Sequence, residues 1–152
     1  MEASRATSAA LPSSGVRQVA LDLLALTKPK VQSLLLLTTV TTMLVAGSPS
    51  IGLILATCLG GYLSAGGAGA VNHWFDRDID AAMARTADRP VPSGRIPGRI
   101  ALWFGIALGL AGFAWLTLTA NVLAASLSFS GFLGYTLLYT VWLKRRTWQN
   151  IV

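Results

Sequence analysis

The chain has 152 residues, of which 53% are hydrophobic and 12% charged, about half the ~25% charge of a typical soluble domain. That balance excludes an ordinary soluble domain and points into a bilayer. The formal net charge of +6 sits in clusters at the ends of apolar runs, so it reads as a topology signal and not as the footprint of a nucleic-acid partner.

Residues 1–15, MEASRATSAALPSSG, are small and polar, the composition of a disordered tail. They lack the apolar core of a secretory signal. With only Arg5 and Arg17 as basic residues, the N-terminus is also a poor transit peptide. A bacterial cytoplasmic membrane is therefore expected, ahead of a mitochondrial inner membrane. In segment 16–27, Val16, Val19, Leu23 and Leu26 fall at helical spacing, which predicts a short helix lying on the membrane surface.

The remainder, 28–152, reads as transmembrane. Val31 to Phe75 and Ile100 to Leu143 contain no Asp, Glu, Lys or Arg, and each run is roughly twice the ~20 residues that one span requires. Gly47-Ser48-Pro49-Ser50 and Thr119-Ala120-Asn121 supply a turn in each. Four spans follow, at about 29–46, 51–71, 100–118 and 122–143. The first begins at Pro29, a favourable first helical residue, with Lys28 and Lys30 expected to reach the headgroups. All 12 Lys and Arg lie before the first span, between the second and third, or after the fourth. None lies in the two short turns, so both ends and the central loop are expected on the cytoplasmic side.

The second span carries Gly60, Gly61, Gly66, Gly67 and Gly69, which suit close helix packing and secondarily a widened cavity. Cys58 in mid-span reads as a small packing residue. Trp74, Trp142 and Trp148 read as interfacial anchors. After Arg146 comes TWQNIV, which looks like the start of a fifth span. The sequence thus reads as the N-terminal part of a longer chain, inactive by itself.

The chemistry lies in Asn72–Asp80, NHWFDRDID. If the second span continues helically to Asp80, Asn72, Asp76 and Asp80 sit at i, i+4 and i+8 on one stripe and Asp78 faces away. An amide and two carboxylates where a helix leaves the bilayer suit Mg²⁺, which binds one or two carboxylates together with substrate phosphates. No His/Cys cluster supports zinc, and His73 reads as structural. The following MARTADRPVPSGRIPGR places Arg85 and Arg89 four apart and is then broken by Pro and Gly, giving a basic loop beside an acidic ladder. Such a pairing holds a diphosphate through its metal and its arginines.

Three stretches, LTKPKVQSLLLLT at Leu26–Thr38, NHWFDRDIDAAMARTADRPVPSGRI at Asn72–Ile96 and YTVWLKRRTWQNIV at Tyr139–Val152, resemble the intramembrane (UbiA-type) prenyltransferases. Within that family they are most similar to the haem-farnesylating branch. The resemblance implies an all-α transmembrane fold, of which this chain would form the first part of a nine-helix ring around a central cavity. It implies Asn72, Asp76 and Asp80 as metal positions, with Asp76 and Asp80 catalytic, and Arg85, Arg89 and Lys144 near the diphosphate. The implied reaction joins farnesyl diphosphate to a vinyl group of haem B, giving haem O. A second aspartate-rich motif expected of the family is not in the sequence. Rival readings are a sister enzyme with an aromatic or chlorophyllide acceptor, a membrane carrier with Asp76 and Asp80 as ion ligands, and an inactive fragment.

Overall fold

A computed structural model describes residues 15–143. Six α-helices follow one another: α1 Val16–Leu26, α2 Pro29–Ala46, α3 Ile51–Phe75, α4 Arg77–Ala82, α5 Gly98–Thr119 and α6 Val122–Leu133, the last continuing as a π-helix over Gly134–Leu143. Among the described residues there is no strand. Among these residues four helices are long and apolar enough to cross a membrane: Pro29–Ala46, Ile51–Phe75, Gly98–Thr119 and Val122–Thr140. The expected spans match, the second running four residues further and the third starting two earlier. This is an all-α membrane protein.

Both short turns cap the helix that leaves them. The Ser50 side chain accepts from Leu53 N at 3.2 Å and the Asn121 carboxamide from Ala124 N at 2.8 Å. Each satisfies one backbone donor that a helix start leaves open. At 25 residues, α3 extends roughly 37 Å at 1.5 Å per residue, more than the ~30 Å hydrocarbon core. Its last turns, which carry Asn72, have length enough to reach the membrane surface.

The central contact is α3 on α5. A Cβ added at Gly67 would lie 2.5 Å from Gly105 O, and one at Gly105 would lie 2.6 Å from Gly67 O. The two backbones touch where neither residue has a side chain, which in lipid maximises dispersion contact. Gly60, against Leu116, and Gly66, against Thr27, are also closed, so close packing explains most of the glycine stripe. Trp115 Nε1 donates to Ala56 O at 2.9 Å and ties α5 to α3 nearer the first short turn.

The loop after α4 folds over the end of the bundle. Val91 and Ile96 are buried in one cluster with Leu26, Ala70 and Ala101, against which Val19 and Leu23 pack. The Val19–Leu23–Leu26 side of α1 thus faces the protein, whereas Leu21 and Leu24 are exposed. Asp22, buried on that same side, accepts from Arg95 Nε at 3.2 Å with both carboxylate oxygens. The acid on an apolar face and a loop arginine neutralise each other and fasten α1 to the loop. The N-terminal tail and the TWQNIV segment lie outside the described residues.

Candidate functional site

The stripe that the spacing predicts is present, although not on one unbroken helix. α3 stops at Phe75, Asp76 sits at the junction with φ −88° and ψ 1°, and α4 begins at Arg77. Helical bonding nonetheless runs through the junction: Asp76 N donates to Asn72 O at 2.9 Å and Asp80 N to Asp76 O at 2.7 Å. The spacing of four therefore keeps Asn72, Asp76 and Asp80 in line. All three are buried, at 4%, 2% and 3% exposure, while Asp78 is exposed as the periodicity requires.

Burying carboxylates this deeply is costly without cations and hydrogen bonds, and both are supplied. Arg89 Nη1 donates to both oxygens of Asp80, at 2.9 and 2.7 Å. Thr86 Oγ1 donates to Asp80 O at 2.9 Å and holds the intervening turn in place. Asn72 Nδ2 donates to Asp76 Oδ2 at 2.6 Å and reaches Thr140 Oγ1 at 3.5 Å. Lys28 Nζ donates to Asn72 Oδ1 at 2.8 Å. Lys28 thus joins the ladder. Its left-handed backbone, φ 54° and ψ 58°, aims the side chain inward, while Lys30 remains exposed.

Of the basic residues expected here, Arg89 reaches the ladder. Arg85 is exposed and makes no hydrogen bond to the ladder among the described residues. Lys144 lies outside the described residues. His73 is 4% exposed, and among the described residues neither ring nitrogen has a hydrogen-bond partner. Arg77 turns outward, donating to Trp74 O at 2.7 Å with its guanidinium 5.0 Å from the Trp74 ring centre.

Two of the groups that organise the site are not evident from sequence reasoning. Lys28 is marked only by its place directly before a proline at the mouth of an uncharged run. Asp22 is signalled by its register: it shares a helical face with Val19 and Leu26, and an acid there needs a cation.

Below the ladder lies a cavity of about 520 Å³. Gly61, Ala65, Ala68 and Gly69 of α3 form one wall, Phe132 and Tyr135 another, and Lys28 and Gln32 stand at the α2 side. Small residues on α3 thus serve two purposes, close approach to α5 on one face and an open wall on the other. The lining is predominantly apolar, and Lys28 links it to Asn72.

The donor set fits Mg²⁺. Asp76 and Asp80 offer hard carboxylate oxygens of the kind that ion accepts, one or two at a time, when substrate phosphates complete its shell. Among the described residues no three His, Cys, Asp or Glu side chains converge.

Fold and site together define a helical membrane protein with an apolar cavity and, at one end of it, a buried cluster of acids and bases. The chain belongs to the UbiA prenyltransferase family, whose model matches residues 35–152. Curated relatives named protoheme IX farnesyltransferase include one from Roseiflexus sp. (strain RS-1), 53% identical over 86% of this chain and 25% of its own length. A Thermus thermophilus protein is 54% identical over 86% of this chain and 22% of its length. The Streptomyces avermitilis protein is 54% identical over 84% of this chain and 43% of its length. The chain therefore spans about a quarter of the first two and under half of the third. No solved structure matches it.

Proposed function

We propose that this chain is the N-terminal part of an enzyme that transfers a farnesyl group from farnesyl diphosphate to a vinyl group of haem B, yielding haem O and diphosphate. The observation that carries the reading is a buried ladder of Asn72, Asp76 and Asp80 joined through Lys28 to an apolar cavity, because a prenyl diphosphate has one anionic end and one greasy end. The names of relatives 53–54% identical support the farnesyl and haem assignments.

In this reading the cavity takes the isoprenoid and excludes water that would quench a cation. Asp76 and Asp80 hold Mg²⁺, which when bound with the diphosphate supplies positive charge against the negative charge developing on the leaving group. Arg89 keeps Nη1 on Asp80 while its Nε and Nη2 make no hydrogen bond among the described residues, leaving donors for phosphate oxygens. Arg85 and Lys144 are the further basic candidates. The allylic C–O bond breaks with its electron pair going to diphosphate. The vinyl carbon of haem attacks the prenyl cation, and water adds to the adjoining carbon with loss of a proton. Pre-placed cations around the leaving group are the main source of acceleration.

The twelve-to-none distribution of Lys and Arg supports placing the ladder, the loop and α1 on the cytoplasmic side of the cell membrane. The test is expression of the intact protein in a strain lacking haem O synthesis, with mass spectrometry of extracted haem. Haem O that depends on Asp76 and on Mg²⁺ supports the reading, and its absence from a folded protein rejects it.

A further inference from the structure

Lys28 is the only non-glycine among the described residues with a positive φ, and it precedes Pro29. A left-handed lysine is strained and persists only where its surroundings over-determine it. What the conformation achieves is the 2.8 Å contact between Nζ and Asn72 Oδ1. Lys28 is also the only charged side chain lining the cavity among the described residues.

The contact decides how the Asn72 carboxamide is used. That group has one acceptor oxygen and one NH₂ donor. The oxygen faces an ammonium, and the NH₂ donates to Asp76 Oδ2 at 2.6 Å. Rotating the amide would set oxygen against carboxylate and NH₂ against ammonium, so the network admits one orientation. The atom through which Asn72 would ligate a cation is therefore turned toward another cation.

We propose that Lys28 is a positioning residue of this site, fixing the Asn72 carboxamide and through it the Asp76 carboxylate, so that Asn72 links a resident cation to the ladder instead of ligating Mg²⁺. The proposal rests on reading the ladder as a metal–diphosphate site. An ammonium at the Asn72 end opposes a bare dication, and the negative charge of a diphosphate offsets that opposition. The site therefore favours metal together with diphosphate over metal alone.

The test uses the intact protein in lipid nanodiscs and Mn²⁺ binding followed by electron paramagnetic resonance, with and without inorganic pyrophosphate. Lys28→Met is expected to bind Mn²⁺ alone about fivefold tighter, from the charge removed, and Mn²⁺–pyrophosphate about tenfold more weakly, from the lost alignment of Asp76. The opposite signs separate this role from a general loss of structure, which would weaken both. In a double-mutant cycle, Asn72→Leu is expected to remove most of the Lys28→Met effect on Mn²⁺–pyrophosphate, a coupling of about fivefold or more. Additive effects, or unchanged or weaker binding of Mn²⁺ alone in Lys28→Met, overturn the proposal. If Lys28→Met does not accumulate, Lys28→Gln removes the charge while keeping a donor; failure of that variant to tighten Mn²⁺ alone overturns it equally. No readout involves haem, so a protein that makes no haem O rejects the acceptor assignment while the Lys28 role is still judged.

Discussion

One guanidinium nitrogen of Arg89 bonds both carboxylate oxygens of Asp80, at 2.9 and 2.7 Å, across nine residues of sequence. Asp80 is almost fully buried, whereas the Arg89 side chain is 34% exposed. Removing the arginine leaves a buried carboxylate without its cation. Breaking a fully buried pair costs about 3–5 kcal/mol, and partial exposure of the arginine lowers this to about 1–3 kcal/mol. Arg89→Ala is expected to lower the thermal midpoint of the intact protein accordingly. Turnover is expected to fall more than stability explains, because the donors proposed for the diphosphate are lost as well. Unchanged midpoint and turnover would show the pair to be incidental.

The ladder predicts unequal losses from equal substitutions. Asp76→Asn and Asp80→Asn each keep shape and remove a charge that the proposed metal site requires, so turnover should drop by about 10²-fold or more in folded protein. Asp78→Asn, on the exposed side, should stay within about threefold of the parent. Steady-state assays on size-checked protein measure this, and equal losses at all three positions would indicate a diffuse electrostatic role.

Helix packing gives a contrast between two glycines of α3. Gly67→Ala would put a methyl 2.5 Å from Gly105 O and 2.9 Å from Gly109 N, backbone atoms that cannot step aside, and is expected to cost about 1–3 kcal/mol by overpacking. Gly61→Ala meets nothing nearer than Leu36 Cδ2 at 3.8 Å and lines the cavity. It is expected to fold normally and to act on KM for the proposed prenyl diphosphate. Thermal unfolding in detergent with matched kinetics separates the two outcomes.

Topology is checked with cysteines at exposed positions. Ser48 lies in the first short turn and Ser93 in the basic loop, both exposed. Ser48→Cys should react with an impermeant maleimide added outside intact cells, and Ser93→Cys only after permeabilisation. Labelling of the loop position from outside would reverse the assigned orientation.

Spans and ladder were legible in the sequence because each rests on a local rule. An uncharged run long enough for two crossings must cross, since charges and open backbone groups are expensive in hydrocarbon. Residues four apart on a helical path must share a side, and they do so here even though the helix breaks at Asp76. Pairings between distant segments had no such rule. That Arg89 and not Arg85 reaches the ladder depends on how the loop turns after Thr86 bonds Asp80 O. That Asp22 holds Arg95 depends on α1 folding back over the loop. The inward turn of Lys28 depends on a strained backbone that only the surrounding packing can impose. Sequence by itself determined which residues lie in lipid and which acids share a stripe, because those follow from solvent and helical geometry. Tertiary structure decided which cation meets which acid, because a carboxylate buried from water must be neutralised by whichever donor the packed chain brings within about 3 Å.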